Sequence, residues 1–161
     1  MKQLIKLSIG LLLASGAAHS DTLIHAGSLI DGEADRAVND RTIRVSNDTI
    51  IAIEDGFTDP ASGDTVIDLR NATVMPGLMD THVHISGQYS ANSNLNRFVL
   101  NEADFAFDSA MYARRTLEAG FTVVRDLGSG YNVANALRKA VAAGDVPGPM
   151  ILSAGPSLAS T

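Results

Sequence analysis

A break at Pro76-Gly77 divides this sequence into two kinds of patterning, and few folds accommodate both. Before it, short β-rich runs alternate with turn residues, and no stretch keeps a helical period for three turns. Thr22 to Ala26 and Ser28 to Ile30 are strand-like and stop at Asp31-Gly32. Arg41 to Ser46 and Thr49 to Glu54 flank Asn47-Asp48, two residues that tolerate the positive φ of a tight turn, so a hairpin is predicted there. After a loop from Asp59 to Asp64, Thr65 to Leu69 is the next strand. Residues 21–75 read as a small all-β unit.

Beyond the break, strands and helices alternate. Leu78 to Ile85 is a predicted strand, followed by a polar loop from Ser86 to about Asn101. Ala106, Ala110, Ala113 and Leu117 form an apolar stripe over Asp104 to Ala119, with Gly120 placed as the C-terminal cap. Phe121 to Asp126 is a second strand. Val133, Ala136, Leu137, Ala140 and Val141 repeat at helical spacing over Asn132 to Ala143, closed by Gly144, and Pro149 to Ala154 is a third strand. Strand, helix, strand, helix, strand implies parallel pairing. Parallel sheets are normally covered on both faces, and two helices are too few for that. Residues 76–161 are therefore expected to be an incomplete βαβαβ portion of a larger α/β structure, the alternative being a small complete α/β domain.

Composition narrows the chemistry. The 161 residues carry 12 Lys and Arg against 18 Asp and Glu, a formal charge of -6, so a basic nucleic-acid face is not expected. With no cysteine there is no disulfide framework, no thiolate nucleophile and no sulfur-ligated metal; an ion would have to be held by His and carboxylates. At the N-terminus, Lys2 and Lys6 precede the apolar run Leu7 to Ala14, and Ala18 and Ser20 satisfy a small-x-small rule before Asp21. Residues 1–20 thus read as a signal peptide, too short in its apolar run to span a bilayer. Export to the periplasm or the cell exterior, with no stable membrane anchor after cleavage, is the expectation.

His82 and His84 carry the most specific chemical signal. One residue apart on a predicted strand, they leave the same face and can meet one divalent ion, and zinc suits imidazole. The alternative is a pair of half-exposed strand histidines. Asp80 shares their parity and either orients a ligand or packs at the strand entry. Asp126 ends the second strand beside Arg125, in a structural or a site-facing role. Gly128-Ser129-Gly130 lies between a strand and a helix as a dinucleotide loop would, but Val133 stands where the third glycine is needed. His25 reads as structural, and Lys139 as part of a solvated helix face.

The run Val74-Met75-Pro76-Gly77-Leu78-Met79-Asp80-Thr81-His82-Val83-His84 resembles the signature leading into the first barrel strand of the amidohydrolase superfamily. Leu29 to Gly32, the hairpin from Thr42 to Asp55 and Val66 to Leu69 resemble the small β-sandwich that these enzymes build from both ends of the chain. Leu117 to Gly128, Leu137 to Gly144 and Pro147 to Leu152 are similar to the imidazolonepropionase-like and prolidase-like branch. The resemblance implies an α/β fold: the N-terminal part of a TIM-like (β/α)8 barrel, three strands and two helices, preceded by a β-sandwich segment. It also implies hydrolysis of an amide, cyclic amide or dipeptide C-N bond by water activated on one or two divalent ions, with His82 and His84 as ligands. In the family a lysine, two further histidines and an aspartate complete the site, and none can be matched here, so no catalytic base is assigned. A small-molecule or short-peptide substrate is implied, and an oligomer is compatible with the sequence. Two other readings remain: a truncated, non-catalytic remnant acting in binding, and a related lactone or phosphotriester hydrolase.

Overall fold

The computed structural model describes residues 20–158; the expected signal segment lies outside them. The chain divides into two compact units, Met1–Pro76 and Gly77–Thr161. Among the described residues no helix is long and apolar enough to cross a membrane.

The first unit is one mixed sheet of four strands, β1 (Thr22–Leu29), β2 (Val38–Ser46), β3 (Thr49–Asp55) and β4 (Thr65–Val74), in the order β3-β2-β1-β4. Strands β1, β2 and β3 pair antiparallel, while β4 joins β1 in parallel. The predicted hairpin is present: Asn47 and Asp48 sit at φ 46° and 62°, the left-handed pair that matches strand twist in a two-residue turn. The two strand-like runs at 22–30 form one strand, because Gly27 passes the ladder irregularity between Ala26 and Ser28 without breaking it. A Cβ on Gly27 would fall on the Arg70 carbonyl, so only glycine fits this approach.

Central strand β1 is buried on both faces. One face carries Ile24, Ala26, Leu29, Ile43, Val45 and Val74. On the other, Thr42 is fully buried, with its Oγ1 donating to the Gly56 carbonyl (2.8 Å) and accepting from Thr58 N (2.9 Å). Beside it His25 is spent on structure. Its Nε2 lies 3.0 Å from the Thr58 carbonyl and its Nδ1 3.1 Å from Arg70 Nη2, so both ring nitrogens are engaged in a neutral imidazole. Among the described residues this unit supplies one β layer.

The second unit contains β5 (Leu78–Val83), α1 (Ser93–Val99), α2 (Glu102–Glu118), β6 (Phe121–Asp126), α3 (Val133–Ala143) and β7 (Met150–Ser153). The sheet order is β5-β6-β7, all parallel. Helix α2 starts at a reciprocal capping box: Asn101 accepts from Ala103 N and Asp104 N, and Asp104 accepts from Asn101 N. Helix α3 ends at Gly144, left-handed at φ 80°. Ala113, Ala134 and Leu137 of these helices bury against Ile85, Val124 and Ile151, forming one core on one side of the sheet.

Two expectations change. Strand β5 ends at Val83, not Ile85, so His84 stands just past it. The stretch predicted as a polar loop contains the seven-residue helix α1, which has no side-chain cap and buries no residue. Asn92 at its N-cap and Leu95, Phe98 and Val99 at i, i+3 and i+4 are helix signals, which the Asn- and Ser-rich composition of the stretch outweighed in the reading as a loop; the stripe faces solvent instead of a core.

Candidate metal centre

His82 and His84 lie at the C-terminal end of β5, both exposed, with ring centroids 5.6 Å apart at an interplanar angle of 74°. Two imidazoles sharing one ion through bonds of about 2.0–2.1 Å would have centroids about 5 Å apart, close to the spacing of this pair. His84 Nδ1 lies 2.6 Å from the Gly128 carbonyl oxygen. A carbonyl only accepts, so Nδ1 carries the proton and the Nε2 lone pair is left free, the arrangement a metal-binding histidine needs. The donor chemistry therefore fits a zinc-type ion. Among the described residues, however, no three His, Asp or Glu side chains gather as a metal-binding group.

The carboxylates flanking this pair do other work. Asp80 was expected to share a face with the histidines. The ladder slips between Asp80 and Val83, which pair in register with Val124 and Asp126, so Asp80 falls on the helix-covered side with Val83. Its Oδ1 accepts from the His82 backbone N–H (2.9 Å). Period-two counting cannot foresee a bulge inside a six-residue strand.

Asp126 is fully buried at the end of β6. Its Oδ2 accepts from Ile85 N (2.8 Å) and Ser129 Oγ (2.8 Å), and its Oδ1 accepts from Gly128 N (3.0 Å). Its backbone carbonyl takes Ala154 N (2.9 Å), tying in the end of β7. Arg125 turns away from it and donates through Nε to the Thr81 carbonyl (2.8 Å). Sequence reasoning missed Gly128 as the partner of His84. The Asp126-x-Gly128 spacing at a strand end signals the side-chain-to-backbone turn that is found there, but nothing local signals its contact with His84. Lys139 lies exposed on α3, as expected for a solvated face.

Two cavities open beside His84. One, of about 240 Å³, is lined by Tyr89, Asn96, Arg97, Phe105, Asp108 and Tyr112 among others. The other, of about 450 Å³, runs past Asp80, Val83, Arg115 and Phe121.

A model of the amidohydrolase family matches residues 73–161, more than half of the chain. The chain belongs to the amidohydrolase family. Prolidase-like enzymes are among the solved structures that it resembles. A solved Xaa-Pro dipeptidase with bound methionine superposes with a TM-score of 0.81 at 38% identity, over 87% of this chain and 34% of that one. A prolidase complexed with N-methylphosphonate-L-proline gives 0.71 at 31% identity, over 84% of this chain and 32% of its own. Ochratoxinase of Aspergillus niger is 31% identical over 156 residues, 94% of this chain and 31% of that protein. The chain thus spans about a third of the length of each relative.

Proposed function

We propose that this protein hydrolyses a C-N bond, an amide, cyclic amide or dipeptide, with water activated on a divalent metal, and that His82 and His84 are two of the metal ligands. The observation that carries the proposal is the Nδ1–H of His84 held on the Gly128 carbonyl, beside a cavity at the C-terminal end of a parallel strand. A zinc-type ion supplies water with a pKa near 7 and an electrophile for the carbonyl. His84 would present Nε2 in a fixed orientation, and His82 would close on the same point from the strand. The half-buried Phe105 and Tyr112 would pack against the substrate, with Arg97 available to a carboxylate group. The dipeptidase and prolidase relatives support a small peptide as substrate.

The same reading takes β5, β6 and β7 as the first three strands of a (β/α)8 barrel, and residues 21–75 as part of a small β-sandwich domain. Leu78, Met79, Met150 and Leu152 are exposed on the sheet, apolar surface that further strands of such a barrel would cover. The reading also keeps residues 1–20 as a signal peptide and the product as an exported enzyme.

The test is metal affinity of the full-length protein, measured by competition with a chromophoric chelator, followed by a panel of dipeptides and cyclic amides. His82→Gln and His84→Gln should each weaken zinc binding by at least about 100-fold, more than loss of an outer hydrogen-bond partner costs. Equal affinity in wild type and both variants would overturn the ligand assignment.

A further inference from the structure

We infer that Asp126 is the positioning residue for His84: one buried carboxylate sets both the backbone beside this histidine and the carbonyl that receives its ring. The inference rests on reading His84 as a metal ligand and adds a residue that acts through it.

The carboxylate reaches His84 by two routes. Oδ2 holds the N–H of Ile85, the residue directly after His84. Oδ1 holds the N–H of Gly128, whose own carbonyl accepts from His84 Nδ1. The peptide that carries this carbonyl is clamped on its other side as well, since Ser129 N donates to the Gly155 carbonyl (3.1 Å). Gly128 sits at φ 145°, a conformation in which glycine has little to restrain it. Asp126 grips both sides of this carbonyl, at Gly128 N and at Ser129 Oγ (2.8 Å); without it the peptide keeps only the Ser129–Gly155 bond, and the acceptor can shift from the ring. An imidazole that loses this acceptor no longer has its proton confined to Nδ1, and a proton on Nε2 blocks the lone pair that a metal requires.

A carboxylate is suited to the task because it only accepts, and it meets three donors here. Asparagine in its place must aim an amide N–H₂ at one of two backbone N–H groups. In either orientation one of the two routes to His84 is lost, with little change of shape.

The experiment uses the full-length protein, metal-free for one readout and titrated with zinc for the other. In mildly alkaline buffer, ¹⁵N-resolved imidazole spectra should show His84 protonated on Nδ1 in the wild type and a mixture of tautomers in Asp126→Asn. Zinc affinity of Asp126→Asn should fall about 10- to 100-fold. Arg125→Ala, which loosens the same pair of strands by removing the bond to Thr81, should keep the wild-type tautomer and an affinity within about twofold. A wild-type His84 protonated mainly on Nε2 would overturn the inference even where the variants do not fold. So would Asp126→Asn with unchanged tautomer and affinity, or Arg125→Ala shifting both as far. If His84→Gln binds zinc as the wild type does, the ligand reading fails, and the tautomer readout still tests the positioning.

Discussion

Gly128 is the position where a single methyl group tests the geometry of the centre most severely. At φ 145° the backbone lies where L residues are strained, which costs on the order of 1–3 kcal/mol. A Cβ there would also lie 2.9 Å from Ser157 Cα, 3.0 Å from its Cβ and closer still to its Oγ. The hydroxyl can rotate away but the backbone cannot follow freely, because Ser129 bridges to Pro156 and donates to Gly155. Overpacking of this kind costs roughly another 1–3 kcal/mol. Gly128→Ala should therefore destabilise the unit by about 2–6 kcal/mol. At a urea slope of ~2 kcal/mol/M that lowers the unfolding midpoint by about 1–3 M. Ser157→Gly, added to Gly128→Ala, removes the contacts with Cβ and Oγ but not the one with Cα, so it should recover part of the overpacking share and leave the backbone share in place. A Gly128→Ala protein within about 0.5 kcal/mol of wild type, the range of an indifferent surface change, would refute both parts of the reasoning.

Thr42→Val keeps the shape of a buried side chain and strands the Gly56 carbonyl and the Thr58 N–H, so denaturant unfolding should show a loss of about 1–3 kcal/mol, with Thr42→Ser losing less. Acid should loosen the first unit. The backbone N–H groups of Asp21 and Ala61, with Arg44 nearby, hold the Asp64 carboxyl below the usual range, and the Thr58 hydroxyl followed by Arg44 does the same for Glu54. Folded values below unfolded ones contribute stability above the ordinary carboxylate pKa, and that contribution disappears as pH falls through it towards the folded values. Urea midpoints followed from neutral pH to below about pH 4 should decline, and Asp64→Asn should flatten that decline; an unchanged slope would count against the role of Asp64.

Much of the fold was legible in local pattern. Asn47-Asp48 marked a turn because few residues accept positive φ at two successive positions. The stripes on α2 and α3 and the glycines after them marked helices that bury one side. Helix α1 escaped notice because it is only seven residues long, so its one apolar turn, Leu95, Phe98 and Val99, is too short to stand out from a polar, Asn- and Ser-rich loop. At the candidate centre, His82 and His84 were visible as a pair of like residues at strand spacing. Asp126 was visible only as a carboxylate with two readings, since its three donors come from residues on both sides of the β5–β6 pairing.

The sequence by itself determined the donor types and the order of elements: imidazole and carboxylate with no thiolate, an all-β segment, and then strands alternating with helices. These are properties of residue identity and short-range period, which the chain carries before it folds. The tertiary structure alone decided what each polar group faces. The slip in β5 turned Asp80 from the histidines, and the approach of the Asp126–Ser129 turn placed an acceptor at His84 Nδ1. His84 and Gly128 are 44 positions apart, and their meeting depends on parallel pairing of β5 with β6. A bulge or a bond between distant strands depends on register and packing, and no local period encodes either.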